Sequence, residues 1–285
     1  VATANAVTYT GAKPVFVDSD LDSWGMDPKK VEQLITPRTR AIIPVHLYGN
    51  PVDMDPIMEI AKKHNLFVLE DAAEAHGAKY NGLIVGGIGN AASFSFYGNK
   101  IITTGEGGMV VTNDSQLANK MRNLRDHGMD PDRKYWHPNI GFNYRMTNLV
   151  AAVGCGQIEK IGYILKDKIR IEEAYTKRLS NIKGIRLRKK RDFIDSVNWV
   201  FPILIDKENC SDYRDEIINK LEKLNIEASP FFHPIHLMPP YKEQKEIILE
   251  NAEWLSKVGI SLPSFVGISE DEIDRVCKGI KDIIS

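Results

Sequence analysis

Leu66-Phe67-Val68-Leu69-Glu70-Asp71-Ala72-Ala73-Glu74-Ala75 runs from a short apolar segment straight into three carboxylates. Leu66–Leu69 reads as a buried strand, and Glu70-Asp71 marks where it stops. Upstream, Asp55–His64 has the spacing of a helix, and Ala41–Val45 and Pro14–Val17 read as strands. A helix beginning near Pro28 separates those two strands, proline being suited to a first helical turn. Downstream, Ala92–Phe96 and Gly108–Thr112 read as strands and Asp114 to Asp126 as a helix. Strands alternating with helices at this spacing predict an α/β fold with a mostly parallel, doubly wound sheet. In such sheets ligands bind beyond the carboxyl ends of the strands, which is where the sequence places Asp71.

From Thr147 the pattern turns helical and continues, with one break near Gly162, to about Leu179. Beyond it lie a predicted strand at Val197–Ile205, a helix at Asp212–Leu224, a proline-rich loop at Pro230–Tyr241 and a last helix at Asp271–Ile284. The expected division is a large domain over 1–165 and a smaller α+β domain over 166–285. The 285 residues suffice for one large core or two modest ones. A formal charge of −1 gives no electrostatic reason to expect nucleic acid or an anionic membrane as partner. Cys155, Cys210 and Cys277 are scattered, without paired or metal-type spacing, as expected in a reducing compartment. The histidines offer no metal site either. No apolar run has the length of a membrane span, and no secretion signal opens the chain, so the expected setting is cytoplasmic. The chain opens on Val1 and runs at once into helix-like Ala2–Val7, which reads as a chain whose natural N-terminus is missing or was never encoded.

The chemistry turns on Lys100, 29 residues after Asp71, which closes Ser93-Phe94-Ser95-Phe96-Tyr97-Gly98-Asn99-Lys100. A lysine on a loop beyond an apolar strand, a hydroxyl at Ser95 and an aspartate at another strand end are the parts that hold pyridoxal 5'-phosphate. They supply an amine for the Schiff base, a donor for the phosphate and a carboxylate for the pyridinium nitrogen. The bland alternatives are a solvated lysine, a serine on a polar strand face and, for Asp71, the N-cap of a following helix. Glycines at Gly98 and Gly105-Glu106-Gly107-Gly108 let backbone approach a bound ring. Gly87-Ile88-Gly89-Asn90-Ala91-Ala92 matches a dinucleotide fingerprint, but a polar turn precedes it and a strand follows, so a nicotinamide site is rejected. The basic run Arg186-Leu187-Arg188-Lys189-Lys190-Arg191 reads as a solvated face, with phosphate contact as the alternative.

Taken in order, these motifs resemble the DegT/DnrJ/EryC1/StrS family of sugar aminotransferases, fold-type-I enzymes dependent on pyridoxal phosphate. The likeness rests on Ala2–Ala6 with Pro14–Asp18, on Glu70–Gly77, on Ser93–Lys100 with Thr104–Gly108, and on Gly141–Asn148; the stretch Phe231–His236 with Pro239-Pro240-Tyr241 looks like the family's substrate loop. The resemblance implies that Lys100 bears the cofactor and Asp71 pairs with its ring nitrogen. Glu74 then lies near the ring hydroxyl, and Ser95 binds the phosphate. It further implies that Asn143 reaches the phosphate of a neighbouring subunit in a homodimer with shared active sites, and that His236 touches a nucleotide-sugar substrate. The implied reaction moves an amino group from glutamate onto a nucleotide-linked 4-keto-6-deoxy sugar, for surface polysaccharide or glycan synthesis. Family members carry a further N-terminal segment with a Gly-Thr phosphate loop and a ring-packing aromatic. Two alternatives stay open: a fragment that folds without holding cofactor, and a pyridoxal phosphate-dependent sugar dehydratase, although Lys100 stands where dehydratases of the family carry histidine.

Overall fold

The structure is a computed structural model that describes residues 1–206, 210–242 and 247–284. A helix, α1 (Ala2–Tyr9), leads to β1 (Ala41–Ile42), α2 (Met54–His64) and β2 (Phe67–Asp71). The small strands β3 (Lys79–Tyr80) and β4 (Leu83–Ile84) follow, then β5 (Ala91–Ser95), β6 (Gly108–Val111) and α3 (Ser115–Arg125). Helices α4 (Asn148–Ile158) and α5 (Ile161–Leu179) lead into β7 (Ile185–Arg186), β8 (Ile194–Asp195) and β9 (Phe201–Ile205). The chain ends with α6 (Cys210–Lys223), β10 (Ser229–Pro230), α7 (Glu250–Val258), β11 (Gly259–Leu262) and α8 (Glu270–Ile284).

The first sheet has the order β1-β2-β5-β6. β1 runs parallel to β2 (Ala41 opposite Phe67) and β2 parallel to β5 (Asp71 opposite Ser93), whereas β5 and β6 are antiparallel. The fold is therefore α/β with a mixed, mainly parallel sheet, as the alternation of elements predicts. β6 runs the other way because residues 96–107 return directly as a loop instead of crossing over through a helix. A second sheet, β10-β11-β9-β7, is antiparallel throughout, and β4-β3-β8 form a third.

Two large cores accompany these sheets. Met54, Ile57, Val68, Ala72, Ala75, Ile101 and Ile164 belong to one. Ile171, Tyr175, Leu179, Ile203, Leu221, Ile260 and Ile280 belong to the other. Helix α5 contributes to both, through Ile164 at its start and Ile171 to Leu179 beyond.

Several local expectations fail for identifiable reasons. Pro14–Val17 forms no strand; Phe16 instead meets Tyr241 edge-on at 5.7 Å and Val17 packs against the first core. Near Pro28 the chain makes two short 3-10 turns, Pro28–Lys30 and Glu32–Leu34, instead of an α-helix. Pro37 follows closely, and α conformation is disfavoured just before a proline. β9 begins at Phe201 rather than Val197, because the Val197 N–H is taken by the Gly49 carbonyl at 3.0 Å. The side chain of Cys210 lies outside the described residues; Cys155 and Cys277 are free thiols.

No helix follows β2, so Asp71 is not an N-cap; its Oδ1 accepts from the Ala73 N–H at 3.1 Å within a turn. Its neighbour Glu70 is fully buried. One carboxylate oxygen accepts from the amides of Ile88 (2.8 Å) and Gly89 (2.6 Å); the other takes the Gly86 amide (2.7 Å) and His46 Nε2 (3.1 Å). His46 Nδ1 accepts from the Val52 amide at 3.1 Å, so Nε2 carries the hydrogen shared with Glu70. The rejected dinucleotide fingerprint is thus a turn built around a buried carboxylate, and it leads into β5 rather than a helix. Replacing Glu70 with leucine strands the buried Gly86 amide, the half-buried amides of Ile88 and Gly89 and the His46 N–H, which predicts a loss of about 3–5 kcal/mol. Denaturant unfolding of Glu70→Leu checks this; a loss below about 1 kcal/mol would mean that the amides find other partners.

Candidate active site

Parallel pairing puts the carboxyl ends of β2 and β5 side by side, so Asp71 and Ser95 emerge at one edge of the sheet. The loop after β5 carries Lys100 and folds back on itself. The Phe96 amide donates to the Gly107 carbonyl and the Thr104 amide to the Phe96 carbonyl, both at 2.9 Å, and the Lys100 amide donates to the Tyr97 carbonyl at 3.0 Å. Lys100 is thereby turned toward Glu74, in the turn after β2, and its Nζ lies 3.1 Å from Glu74 Oε1. The other Glu74 oxygen accepts from the Tyr48 amide at 2.8 Å. Burial pushes the Glu74 carboxyl above its ordinary pKa; the Lys100 charge and the Tyr48 N–H oppose this without cancelling it.

Asp71 is fixed on both oxygens, since Thr3 Oγ1 in α1 donates to Oδ2 at 2.6 Å while Ala73 holds Oδ1. Ser95 Oγ accepts from the Tyr97 amide at 3.2 Å, which orients the hydroxyl without using its hydrogen. Asn143 is exposed, its backbone bridging to Asp126 and its side chain unbonded among the described residues. His236 is buried in the turn Ile235–Leu237, with Nε2 3.0 Å from Glu253 Oε1 and Nδ1 unpartnered. The structure therefore joins Lys100 to Glu74 directly and sets Asp71 and Ser95 on adjacent strand ends. Neither Asn143 nor His236 shares a hydrogen bond with that group.

Other residues at this edge escape sequence reasoning. Trp199 lies under Lys100, its ring centroid 3.9 Å from Nζ, and its Nε1–H donates to the Asn99 carbonyl. Tyr48 presents its amide to Glu74 from a left-handed backbone conformation (φ 54°), rare for an aromatic residue. Thr3 stands within a quoted motif, yet nothing in the sequence aims its hydroxyl at a residue 68 positions away. His76 is buried beside Phe94 and Phe96, at 5.3 and 6.0 Å between ring centroids, with both nitrogens unpartnered. Burial, assisted by the Lys100 charge, lowers its pKa to about 4, so the ring is neutral at pH 7.

A shielded amine, a fixed carboxylate and an uncommitted hydroxyl at the ligand edge of an α/β sheet match the donor set that pyridoxal phosphate requires. No group of three or more metal-type ligands exists among the described residues. Fold and site together define a fold-type-I, pyridoxal phosphate-dependent transferase.

The sequence pattern of the DegT/DnrJ/EryC1/StrS aminotransferase family matches residues 1–281. GDP-perosamine synthase from Caulobacter vibrioides is 49% identical over the whole chain and 76% of its own length, and that from Escherichia coli O157:H7 is 44% identical, over 77% of its length. Among solved structures, S. venezuelae DesV in complex with a ketimine intermediate superposes with a TM-score of 0.92 at 35% identity, covering 99% of this chain and 75% of DesV. Helicobacter pylori PseC, an aminotransferase of pseudoaminic acid biosynthesis, superposes at 0.93 with 30% identity, over 99% of this chain and 76% of its own. The chain belongs to the DegT/DnrJ/EryC1/StrS aminotransferase family. It is a pyridoxal phosphate-dependent sugar aminotransferase.

The buried histidine generates a pH test. The unfolded chain protonates His76 near pH 6.5 and the folded chain only near 4, so stability falls as pH drops through that window. The contribution lost is about 3 kcal/mol. In His76→Leu it should be absent, and the stability difference between the two proteins should shift by that amount between pH 7 and pH 4; a pH-independent difference would show that the ring finds a partner for its proton.

Proposed function

We propose that the enzyme transfers an amino group from glutamate to the ketone of a nucleotide-linked 4-keto-6-deoxy sugar. The product is a 4-amino sugar of the perosamine type, destined for lipopolysaccharide or another surface glycan. The observation that carries this reading is the Lys100 amine, 3.1 Å from Glu74 at the strand edge shared with Asp71 and Ser95. The names of the perosamine synthase relatives support the substrate class, as does DesI, which matches at 31% identity and was solved with its TDP-sugar product.

In this proposal Lys100 is the covalent anchor for the cofactor, Asp71 pairs with the ring nitrogen, Glu74 faces the ring hydroxyl and Ser95 donates to the phosphate. Bound pyridoxal phosphate supplies an electron sink for the carbanion left when the amine-bearing carbon loses its proton. Lys100 Nζ, once free, takes that proton and returns it, with Glu74 Oε1 holding the ammonium in place. The Asp71 carboxylate, fixed by Thr3 and Ala73, keeps a proton on the ring nitrogen opposite it.

The working unit is a homodimer. Tyr135, Ile140, Phe142, Tyr144 and Leu149 form an apolar stretch, with Ile140 94% exposed, around Asn143. A second copy covering this stretch would bring Asn143 to the partner's cofactor phosphate. His236 is assigned to the sugar nucleotide. We divide the chain into a large cofactor-binding domain over 1–165 and a small domain over 166–285. No helix among the described residues is long and apolar enough to cross a membrane, and the free thiols of Cys155 and Cys277 accord with a cytoplasmic setting.

Borohydride reduction of the protein incubated with pyridoxal 5'-phosphate should fix the cofactor on Lys100. Lys100→Ala should lose both the label and the visible absorbance band, and its turnover should fall by about 10² or more. With glutamate and a panel of keto-sugar nucleotides, mass spectrometry should find an aminated sugar and 2-oxoglutarate. A label elsewhere removes the role of Lys100, and a deoxygenated, amine-free product would indicate a dehydratase.

A further inference from the structure

Lys100 belongs to a closed circuit of contacts that the transfer reaction does not by itself require. From Nζ the circuit passes to Glu74 Oε1 (3.1 Å), then from Glu74 Oε2 to the Tyr48 amide (2.8 Å). The Tyr48 hydroxyl accepts from the Phe232 amide at 3.2 Å, and the two rings stack at 5.5 Å. Phe232 in turn stacks with Trp199 at 6.3 Å and 23°, and the Trp199 ring returns to Lys100 at 3.9 Å. The indole is held by Phe232 on its face and by Asn99 at its Nε1–H, and the Trp199 backbone carbonyl accepts from Lys168 Nζ (2.9 Å) and Ser264 Oγ (3.2 Å).

We propose that Trp199 is a positioning residue for Lys100, its ring face being the resting place of the ε-amine whenever that amine is not attached to the cofactor. The proposal rests on Lys100 being the cofactor-bearing lysine. Transamination requires this amine to be released and then recaptured in each full cycle. A free lysine stem samples many rotamers, and confining it costs about 2 kcal/mol of entropy. Glu74 alone would hold the ammonium by one directional bond at a carboxylate that burial already pushes toward neutrality. An aromatic face attracts a cation without a fixed donor–acceptor line, so the amine can stay near and still swing. The short tie between Trp199 and Asn99, the residue before Lys100, keeps that face in register with the loop that carries the amine.

The test uses the protein loaded with pyridoxal 5'-phosphate, with rates expressed per bound cofactor. In Trp199→Leu, kcat should fall about tenfold while KM for glutamate stays within about twofold. After conversion to the amine form with glutamate, addition of 2-oxoglutarate should restore borohydride-fixable Lys100 about tenfold more slowly. Trp199→Phe, which keeps an aromatic face, should recover most of both rates. Should the leucine variant fail to fold, Trp199→Gln takes its place with the same expectation. Unchanged recapture in the variant that folds, or a loss confined to melting temperature and cofactor occupancy, overturns the proposal. Absence of label at Lys100 in the unsubstituted protein would overturn the functional reading and this inference together; label there with unaltered variant kinetics would sink the inference alone.

Discussion

A carboxylate buried in the middle of a sheet is unstable unless its lone pairs are filled, and Glu70 is such a group. Burial pushes its pKa up, but His46 and the amides of Gly89 and Gly86 outweigh that and hold the carboxyl below its ordinary value. Those bonds determine more than the charge of one residue. They fasten the turn at 86–89 to the end of β2 and, through His46 and Val52, fasten the 46–52 loop to the same point. That loop includes Tyr48, whose amide holds Glu74. Asp71 and Glu74 therefore project from a strand end braced on both sides.

Glu70 and Glu74 stand four positions apart and are both buried, yet their pKa values move in opposite directions. The difference lies in the donor count. Glu70 has three amides and an imidazole N–H, whereas Glu74 has one amide and the Lys100 ammonium. Glu70 is consequently locked as an anion in a structural role. Glu74 is instead pushed above its ordinary pKa by burial, with fewer donors to hold it as an anion. His76, neutral and close to Lys100, adds no positive charge that would compete for Glu74.

The layout of the first sheet was legible because β2 and β5 are short, apolar and bounded by polar turns, and because parallel pairing dictates where their ends lie. Lys100, Asp71 and Ser95 could be named on that basis. Glu74 came only through resemblance to the family. Trp199, Tyr48 and Thr3 were not legible, since each reaches the site by a long-range contact that leaves no periodicity in the chain. Tyr48 depends on a backbone conformation that glycine would normally occupy. The missed start of β9 has the same origin: Val197 has the composition of a strand residue, but its N–H is claimed by Gly49. A glycine is required there because a Cβ at position 49 would lie 1.8 Å from the Val197 carbonyl oxygen.

The basic run at 186–191 also makes long-range contacts. Lys189 and Lys190 are exposed, as on a solvated face, while the arginines of the run are tied back to the protein. Arg186 donates to the Leu21 carbonyl at 2.7 Å, Lys189 reaches Asp22 at 3.2 Å and Arg191 reaches Asp20 at 3.1 Å. Arg188 donates to Asn198, with its guanidinium 5.9 Å from the Trp24 ring. Individually, exposed ion pairs contribute little. Here three of them join residues 186–191 to residues 20–22, while Lys168 and Ser264 donate to the Trp199 carbonyl. The clasp thus joins side chains that composition alone would assign to solvent to partners about 165–171 residues away in sequence.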